Sequence, residues 1–443
     1  MNATEGVREF YDRYPYPPPI DSLDRYRQRW QEPSRRRADY HLSWPAEPYR
    51  DDFSILIAGC GTSQAAKHAV RWPSAHVTGI DLSETSVRVT KELKRKHDLR
   101  NLCVEQFAIE RVRELGMSFD QIVCTGVLHH LDDPDAGLAA LRDVLKPDGA
   151  MHLMVYAPYG RAGVYMLQDY CRRLGIQATD AGIRDLVVAL RELPRDHPLE
   201  RLLKEAPDFR HEAALADALL HPQDRAYSVP QVFEFLETAG LRFGRWLKQA
   251  PYSPHCGMMA HLTHASRLSA LAPAEQSAAA ELFRGTMVRH SLVAYRSDRA
   301  AAAARVSFSD AACHSYVPIR APETVCVRDR PHPGAAAVLI NQTHTYTDLF
   351  LPIDTTELRL FEAMDGARCL GEILDGTVPD DRARLLTGPR FFERLWHHDQ
   401  IVIDAASTKY GRNDHVTRHH ADSQPARSAA GISHALEADG RRM

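Results

Sequence analysis

The chain has 443 residues, long enough to bury a large core and too long for one ordinary domain. Lys and Arg number 55 against 58 Asp and Glu, and the formal net charge is −3, so no global attraction to nucleic acid or to an anionic membrane is built in. Eight cysteines, at 60, 103, 124, 171, 256, 313, 326 and 369, lack any Cys-x-x-Cys pair, which gives neither a zinc knuckle nor a disulfide framework and fits reduced, cytoplasmic thiols.

The polar, acidic start from Met1 to Gly6 is no ordinary secretory signal, and no apolar run approaches the ~20 residues of a membrane helix. Phe10 to Pro19 is aromatic and proline-rich. It reads as a segment folding over a pocket, since tyrosine brings an apolar face and a hydroxyl to a desolvated site; the rival reading is a polyproline ligand for a partner domain. Arg35-Arg36-Arg37 reads as a solvated loop or helix face.

Between Phe53 and Tyr156 short β-type runs alternate with helical stretches, the pattern of β-α-β units and a parallel, doubly wound sheet. The expected order is a strand at Ile55 to Ile57, a helix from Ser63 to Arg71, a strand from His76 to Ile80, and a helix capped by Ser83 and running to about His97. A weaker strand surrounds Val104, and Phe119 to Cys124 is the fourth. Asp133-Pro134 starts a helix with Leu138, Leu141 and Leu145 facing the core, and Ala150 to Tyr156 is a continuous apolar strand. Ala157 to about Asp224 reads as a helical insertion. Pro230 to Ala239, Leu241 to Leu247 and His290 to Arg296 read as a helix and two late strands that complete the sheet.

The chemistry concentrates at two places. Ile55 to Thr62 reads Ile-Leu-Ile-Ala-Gly-Cys-Gly-Thr, and Asp81 follows one β-α unit later. Glycine lets backbone approach a ligand at a strand-to-helix turn, and a carboxylate at the next strand tip can accept both hydroxyls of a ribose. Gln64 fills the last place of a Gly-x-Gly-x-x-Gly pattern, which disfavours a pyrophosphate cradle and with it an NAD-dependent oxidoreductase. At the end of the fourth strand stands Cys124-Thr125-Gly126-Val127-Leu128-His129-His130-Leu131.

With these residues the chain resembles the class I S-adenosylmethionine-dependent methyltransferases over roughly Phe53 to Tyr156. The family's first motif is an acid followed by three alternating glycines; Ala58 replaces the acid and Ser63 the last glycine. The resemblance implies a Rossmann-like, seven-stranded α/β sheet with a helical insertion, and transfer of a methyl group from S-adenosyl-L-methionine to an oxygen or nitrogen of a small molecule, peptide or protein. The product would be S-adenosyl-L-homocysteine, and no metal is expected. It implies that Gly59, Cys60, Gly61 and Thr62 face the methionine and ribose, that Asp81 accepts the ribose hydroxyls and that Leu82 lies on the adenine. The backbone of Phe107 and Ala108 would serve the adenine edge, with Gln106 as the other choice, and Thr125 and Gly126 would present carbonyls to the cofactor's amino group. His129 and His130 would border the methyl-transfer face, one of them supplying a general base where the acceptor arrives protonated; otherwise both pack at the strand end. Tyr14 of the leading segment and Arg161 after the fifth strand are candidates for the acceptor site.

An Asn-Pro-Pro-Tyr or Asp-Pro-Pro-Tyr segment is missing after the fourth strand, which argues against a DNA base as acceptor. Two further alternatives stay open: a cofactor-binding protein without transferase activity that recruits a partner, and a transfer RNA methyltransferase.

The domain plan is a lid segment at 1–50, the catalytic domain at 51–297 with its insertion at 157–225, an alanine-rich linker at 298–312, a small module at 313–404 and a disordered tail at 405–443. The module, with Leu358 to Gly366 and a later helix and strand, resembles the winged-helix-like PqqD peptide-binding modules. That likeness implies an α+β unit and a peptide or protein partner.

Overall fold

The computed structural model describes residues 3–205, 211–299, 306–309, 311–329, 333–378 and 381–406. The expected tail from residue 407 onward, and residues 300–305 and 310 of the alanine-rich linker, lie outside them.

Three helices precede the sheet: α1 (Ala3–Arg13), α2 (Asp24–Arg29) and α3 (Pro33–Ser43). Then follow β1 (Ser54–Ala58), α4 (Gln64–Arg71), β2 (His76–Asp81), α5 (Glu84–Lys96), β3 (Leu102–Gln106), β4 (Phe119–Thr125), α6 (Pro134–Asp143) and β5 (Leu145–Tyr156). Among the described residues four helices form the insertion: α7 (Ala162–Leu174), α8 (Asp180–Arg191), α9 (Glu200–Glu205) and α10 (Glu212–Leu219). The sheet is completed through α11 (Val229–Thr238), β6 (Leu241–Trp246), α12 (Ala265–Ser269), α13 (Pro273–Arg284) and β7 (Arg289–Arg296).

These strands make one seven-stranded sheet in the order β3-β2-β1-β4-β5-β7-β6. The first five are parallel, and β7 lies antiparallel to both neighbours. Alternation along β1 divides the core: Leu56 and Ala58 join Leu138, Leu141, Val232 and Leu236 on one face, whereas Ile55 and Ile57 join Ala65, Ala69, Trp72 and Val87 on the other. The winding reverses between β1 and β4, and a crevice at the carboxyl ends of these strands is where such sheets bind ligands. Ser83 caps α5 by accepting the Ser86 N–H, and Asp133 caps α6 by accepting that of Ala136, so both helices begin beside this crevice.

Helix α1 leans on the insertion, where Phe10 and Tyr14 pack with Ile183 and Ala216. The segment between β6 and β7, with α12 and α13, is a second excursion that the sequence pattern did not announce.

The C-terminal elements are β8 (Val317–Arg320), β9 (Thr324–Val327), β10 (Ala337–Asn341), β11 (Phe350–Ile353), α14 (Thr355–Ala363), α15 (Leu370–Thr377), α16 (Asp381–His397) and β12 (Ile401–Asp404). They form a three-stranded antiparallel sheet, β11-β10-β9, and a β12-β8 pair around a separate apolar core that includes Leu339, Leu360, Ile373, Phe392 and Leu395. Arg35, Arg36 and Arg37 are not the solvated face expected. Arg35 pairs with Glu323, Arg37 with Asp404, and Arg36 donates to the Trp30 carbonyl, so the run joins α3 to the C-terminal unit. Buried Asp399 reinforces the join: it accepts the N–H groups of Gln249 and Ala250 at 3.0 Å and pairs with His344 at 3.0 Å.

Candidate functional site

A cavity of about 520 Å³ opens at the carboxyl ends of β1, β2, β4 and β5. Its floor is the turn after β1, where Gly59 and Gly61 take φ of +71° and +52°. A Cβ on Gly59 would stand 2.3 Å from Cγ2 of Val127, and one on Gly61 would stand 3.2 Å from Pro17, so side chains are excluded by both conformation and space. Asp81 ties the turn to the next strand: Oδ2 accepts the Gly61 N–H at 2.8 Å, and Oδ1 accepts that of Ser83 at 2.9 Å. Burial raises the Asp81 carboxyl above its ordinary range, and Asp12 adds to the rise, while the two N–H donors oppose it.

Leu82, Phe107 and Ala108 form one flank of the cavity, and Thr125, Gly126, Val127 and Met154 the other. The Phe107 N–H already donates to the Asp81 carbonyl at 2.9 Å. That bond takes the Phe107 N–H out of the role expected of it at an adenine edge. The Gln106 side chain is committed to the Leu82 carbonyl at 3.0 Å. Thr125 accepts from Gln64 at 3.1 Å, and the Gln64 side chain, which displaced the third glycine of the pattern, itself lines the cavity.

Two residues of the expected cofactor set do not line the cavity. Cys60 is fully buried beneath the turn, where its thiol is pushed upward by burial and by Asp81. Thr62 is buried too, its hydroxyl donating to the Pro17 carbonyl at 2.7 Å. That bond holds the leading segment over the turn. Asp12 strengthens it, accepting from the Ser83 hydroxyl at 2.7 Å and from the Thr85 N–H at 3.2 Å.

The far half of the cavity is built from α1, β5 and the insertion. Tyr11 donates to Oδ1 of Asp217 at 2.9 Å, and Tyr156 donates to Oδ2 at 3.4 Å. Asp217 is raised by burial, and burial together with Asp217 raises both phenols, so at neutral pH the tyrosines keep their protons. Arg161 lies 3.6 Å over the Tyr156 ring and 3.4 Å from Oδ2 of Asp224. Burial opposes its charge, but Tyr156, Tyr165 and Asp224 hold its pKa up.

His130 and Arg161 line this half, whereas Tyr14 and His129 do not. Tyr14 follows α1 and turns toward α8, bonding the Ala178 carbonyl and Asp180 at 3.3 Å. His129 lies under Tyr156, with ring centroids 4.0 Å apart, and burial drives its pKa well below the ordinary range. The sequence reading missed Asp217 and undervalued Tyr11. A lone carboxylate inside Ala213-Ala214-Leu215-Ala216-Asp217-Ala218-Leu219 was the available signal.

A known domain family described simply as a methyltransferase domain matches residues 56–151, which span β1 to β5 and the glycine turn. Over that span the chain carries a methyltransferase domain of the class I S-adenosylmethionine-dependent kind. Among its relatives, an uncharacterized protein of Synechococcus sp. is 35% identical over 254 residues, covering 55% of this chain. A ubiquinone biosynthesis O-methyltransferase of Dechloromonas aromatica is 30% identical over 149 residues, covering 30% of this chain. The chain spans 60% of the length of each of those two relatives. In three dimensions it is similar to PKMT2 from Rickettsia typhi, solved in complex with AdoHcy, with a TM-score of 0.60 over 88% of this chain and 77% of that one. At 14% identity this is a likeness of fold.

Proposed function

We propose that the protein transfers the methyl group of S-adenosyl-L-methionine to an oxygen or nitrogen of an acceptor seated between α1 and the insertion, and releases S-adenosyl-L-homocysteine. The observation that carries this reading is that the turn of Gly59 and Gly61 with Asp81, and the Tyr11, Asp217 and Tyr156 group, open into one cavity.

The cradle suits an adenosyl group. Its glycines bring backbone to the ligand, Asp81 keeps lone pairs for two hydroxyls beyond the N–H bonds it accepts, and Leu82 with Phe107 gives an apolar slot. The sulfonium supplies an electrophilic methyl with its leaving group attached, so the protein needs only to align the acceptor and exclude water. Tyr11 and Tyr156, fixed by Asp217, present ring faces and phenol oxygens to the acceptor, and His130 borders it. The leading segment, bonded through Thr62, Ser83 and Thr85, shuts out water from the other side. Likeness to the Dechloromonas O-methyltransferase supports an oxygen acceptor.

A peptide or protein partner is the role we propose for the C-terminal unit. In support, Val325, Ile340 and Phe350 stand opposite one another across β9, β10 and β11 and are exposed. Incubation with tritiated-methyl S-adenosylmethionine and an extract, followed by mass spectrometry, tests the activity: a labelled product that needs the intact protein is expected, and none would count against it.

A further inference from the structure

His129 and His130 leave β4 side by side, with ring centroids 4.2 Å apart, and the segment from His221 to Arg225 is stitched against them. The Arg225 N–H donates to the His129 carbonyl at 3.1 Å, and the Gln223 side chain donates to the Leu131 carbonyl. In return the Gln223 carbonyl takes a hydrogen bond from Nδ1 of His130 at 2.8 Å. A carbonyl can only accept, so Nδ1 carries the hydrogen and Nε2 of the neutral ring holds a lone pair in the ring plane.

That lone pair meets no partner among the described residues, nor do the two ring nitrogens of His129 or Oδ1 of Asp224. None of these atoms reaches solvent: His129 and His130 are 0% and 3% exposed, and the Asp224 side chain 2%. Each buried polar atom left unpaired costs about 1–3 kcal/mol, and folded cores seldom gather several in one place without a ligand. Ligand atoms of His129, His130 and Asp224 all lie within 4.8 Å of one another.

We propose that His129, His130 and Asp224 bind one divalent transition-metal ion of the zinc, iron or manganese kind. Two imidazoles and one carboxylate suit these ions, whereas magnesium and calcium prefer all-oxygen sets. The surroundings do what outer-shell groups do at metal sites. The Gln223 carbonyl fixes the tautomer that frees Nε2 of His130. Gln168 at 3.0 Å and Arg161 at 3.4 Å take Oδ2 of Asp224 and leave Oδ1 available. Arg161 adds positive charge beside the ion, and the carboxylates of Asp224 and Asp217 offset it.

A second gathering, His130 with Asp217 and His221, is less suitable. The Gln223 N–H donates to Nδ1 of His221 at 3.0 Å, which puts the hydrogen on Nε2, and both oxygens of Asp217 already accept from tyrosines. Because His130 also lines the cavity, the ion would stand beside the acceptor half of the site and draw an acceptor oxygen toward its ionised form. The proposal does not rest on methyl transfer, since ion binding is read with neither donor nor acceptor present.

The test is a Co²⁺ titration of the chelator-treated full chain, followed by visible d–d absorption, with Zn²⁺ as competitor and near-ultraviolet dichroism to verify folding. The wild type should bind one ion more per chain than Asp224→Asn, zinc should displace it, and His129→Ala should weaken it by at least about 10-fold, the loss that even an outer-shell partner can cause. His221→Ala should keep it. Asp224→Asn is nearly isosteric, so it remains informative should the alanine variant fold poorly. The proposal fails if the folded wild type binds no more cobalt than folded Asp224→Asn, or if His221→Ala loses the ion.

Discussion

The phenol of Tyr11, on the leading helix, donates to the carboxylate of Asp217, on the last helix of the insertion, at 2.9 Å and across 206 positions of sequence. The bond joins the two covers of the cavity over β5, where Tyr156 reaches the second carboxylate oxygen at 3.4 Å. In the proposed reaction, positioning of the acceptor would therefore depend on a residue that is not part of the glycine turn. Asp217→Asn should lower kcat/KM by about 10- to 100-fold, because a hydrogen bond to a charged group is worth about 1.5–3 kcal/mol. The affinity for S-adenosylhomocysteine should stay within a factor of about two, since the change lies outside the cradle. Steady-state kinetics with the labelled acceptor and calorimetry together check this.

Gly59 supports a second prediction. Alanine there would hold φ at +71° and bring its Cβ to 2.3 Å from Val127. Gly59→Ala should destabilise the fold by about 1–3 kcal/mol and weaken cofactor binding. Urea unfolding monitored by tryptophan fluorescence gives the first effect, and calorimetry the second.

The docking of the C-terminal unit is also testable. Asp399 is buried and receives two backbone N–H groups from the Gln249 segment together with His344. Asp399→Ala removes the carboxylate and leaves those donors unpaired, so a loss of about 3–5 kcal/mol is expected. Differential scanning calorimetry should show a lower melting temperature and, with the join weakened, a separate transition for the C-terminal unit.

Acid should destabilise the protein through its buried histidines. Burial lowers His152 to about 4, and its ring lies against Ser43 at 2.5 Å. The unfolded chain takes up this proton near pH 6.5, whereas the folded chain takes it up only near pH 4. Between those values the unfolded state binds more protons, so the contribution is complete above about pH 6.5 and is lost as pH falls toward about 4. Its size is on the order of 3 kcal/mol. His152→Gln should flatten that limb of stability against pH, as measured by urea midpoints from pH 4 to 8.

What was legible in the sequence follows the range of the forces involved. Gly59, Gly61 and Asp81 are joined by one β-α unit, so their spacing shows, and the parallel strands, buried on both faces, show as short apolar runs such as Ile55 to Ala58. Asp217 was hidden because its role exists only once α10 reaches β5. Tyr14 was misassigned for a related reason. The leading segment reads as aromatic and proline-rich, yet Ala3–Arg13 is helical, and Val7, Phe10, Tyr11 and Tyr14 follow its period; that geometry sends Tyr11 to the cavity and Tyr14 to α8. Arg35 and Arg37 looked solvated because their partners, Glu323 and Asp404, lie hundreds of residues away. Strands β8, β9 and β10 have only four or five residues each, too short for a periodic signal.

Calorimetric titration of the full chain with S-adenosylmethionine, beside Asp81→Ala, tests the central claim most directly. The account predicts binding of one molecule per chain to the wild type and loss of measurable binding in Asp81→Ala, provided dichroism shows the variant folded. Absence of binding to the folded wild type, or undiminished affinity in Asp81→Ala, would contradict it.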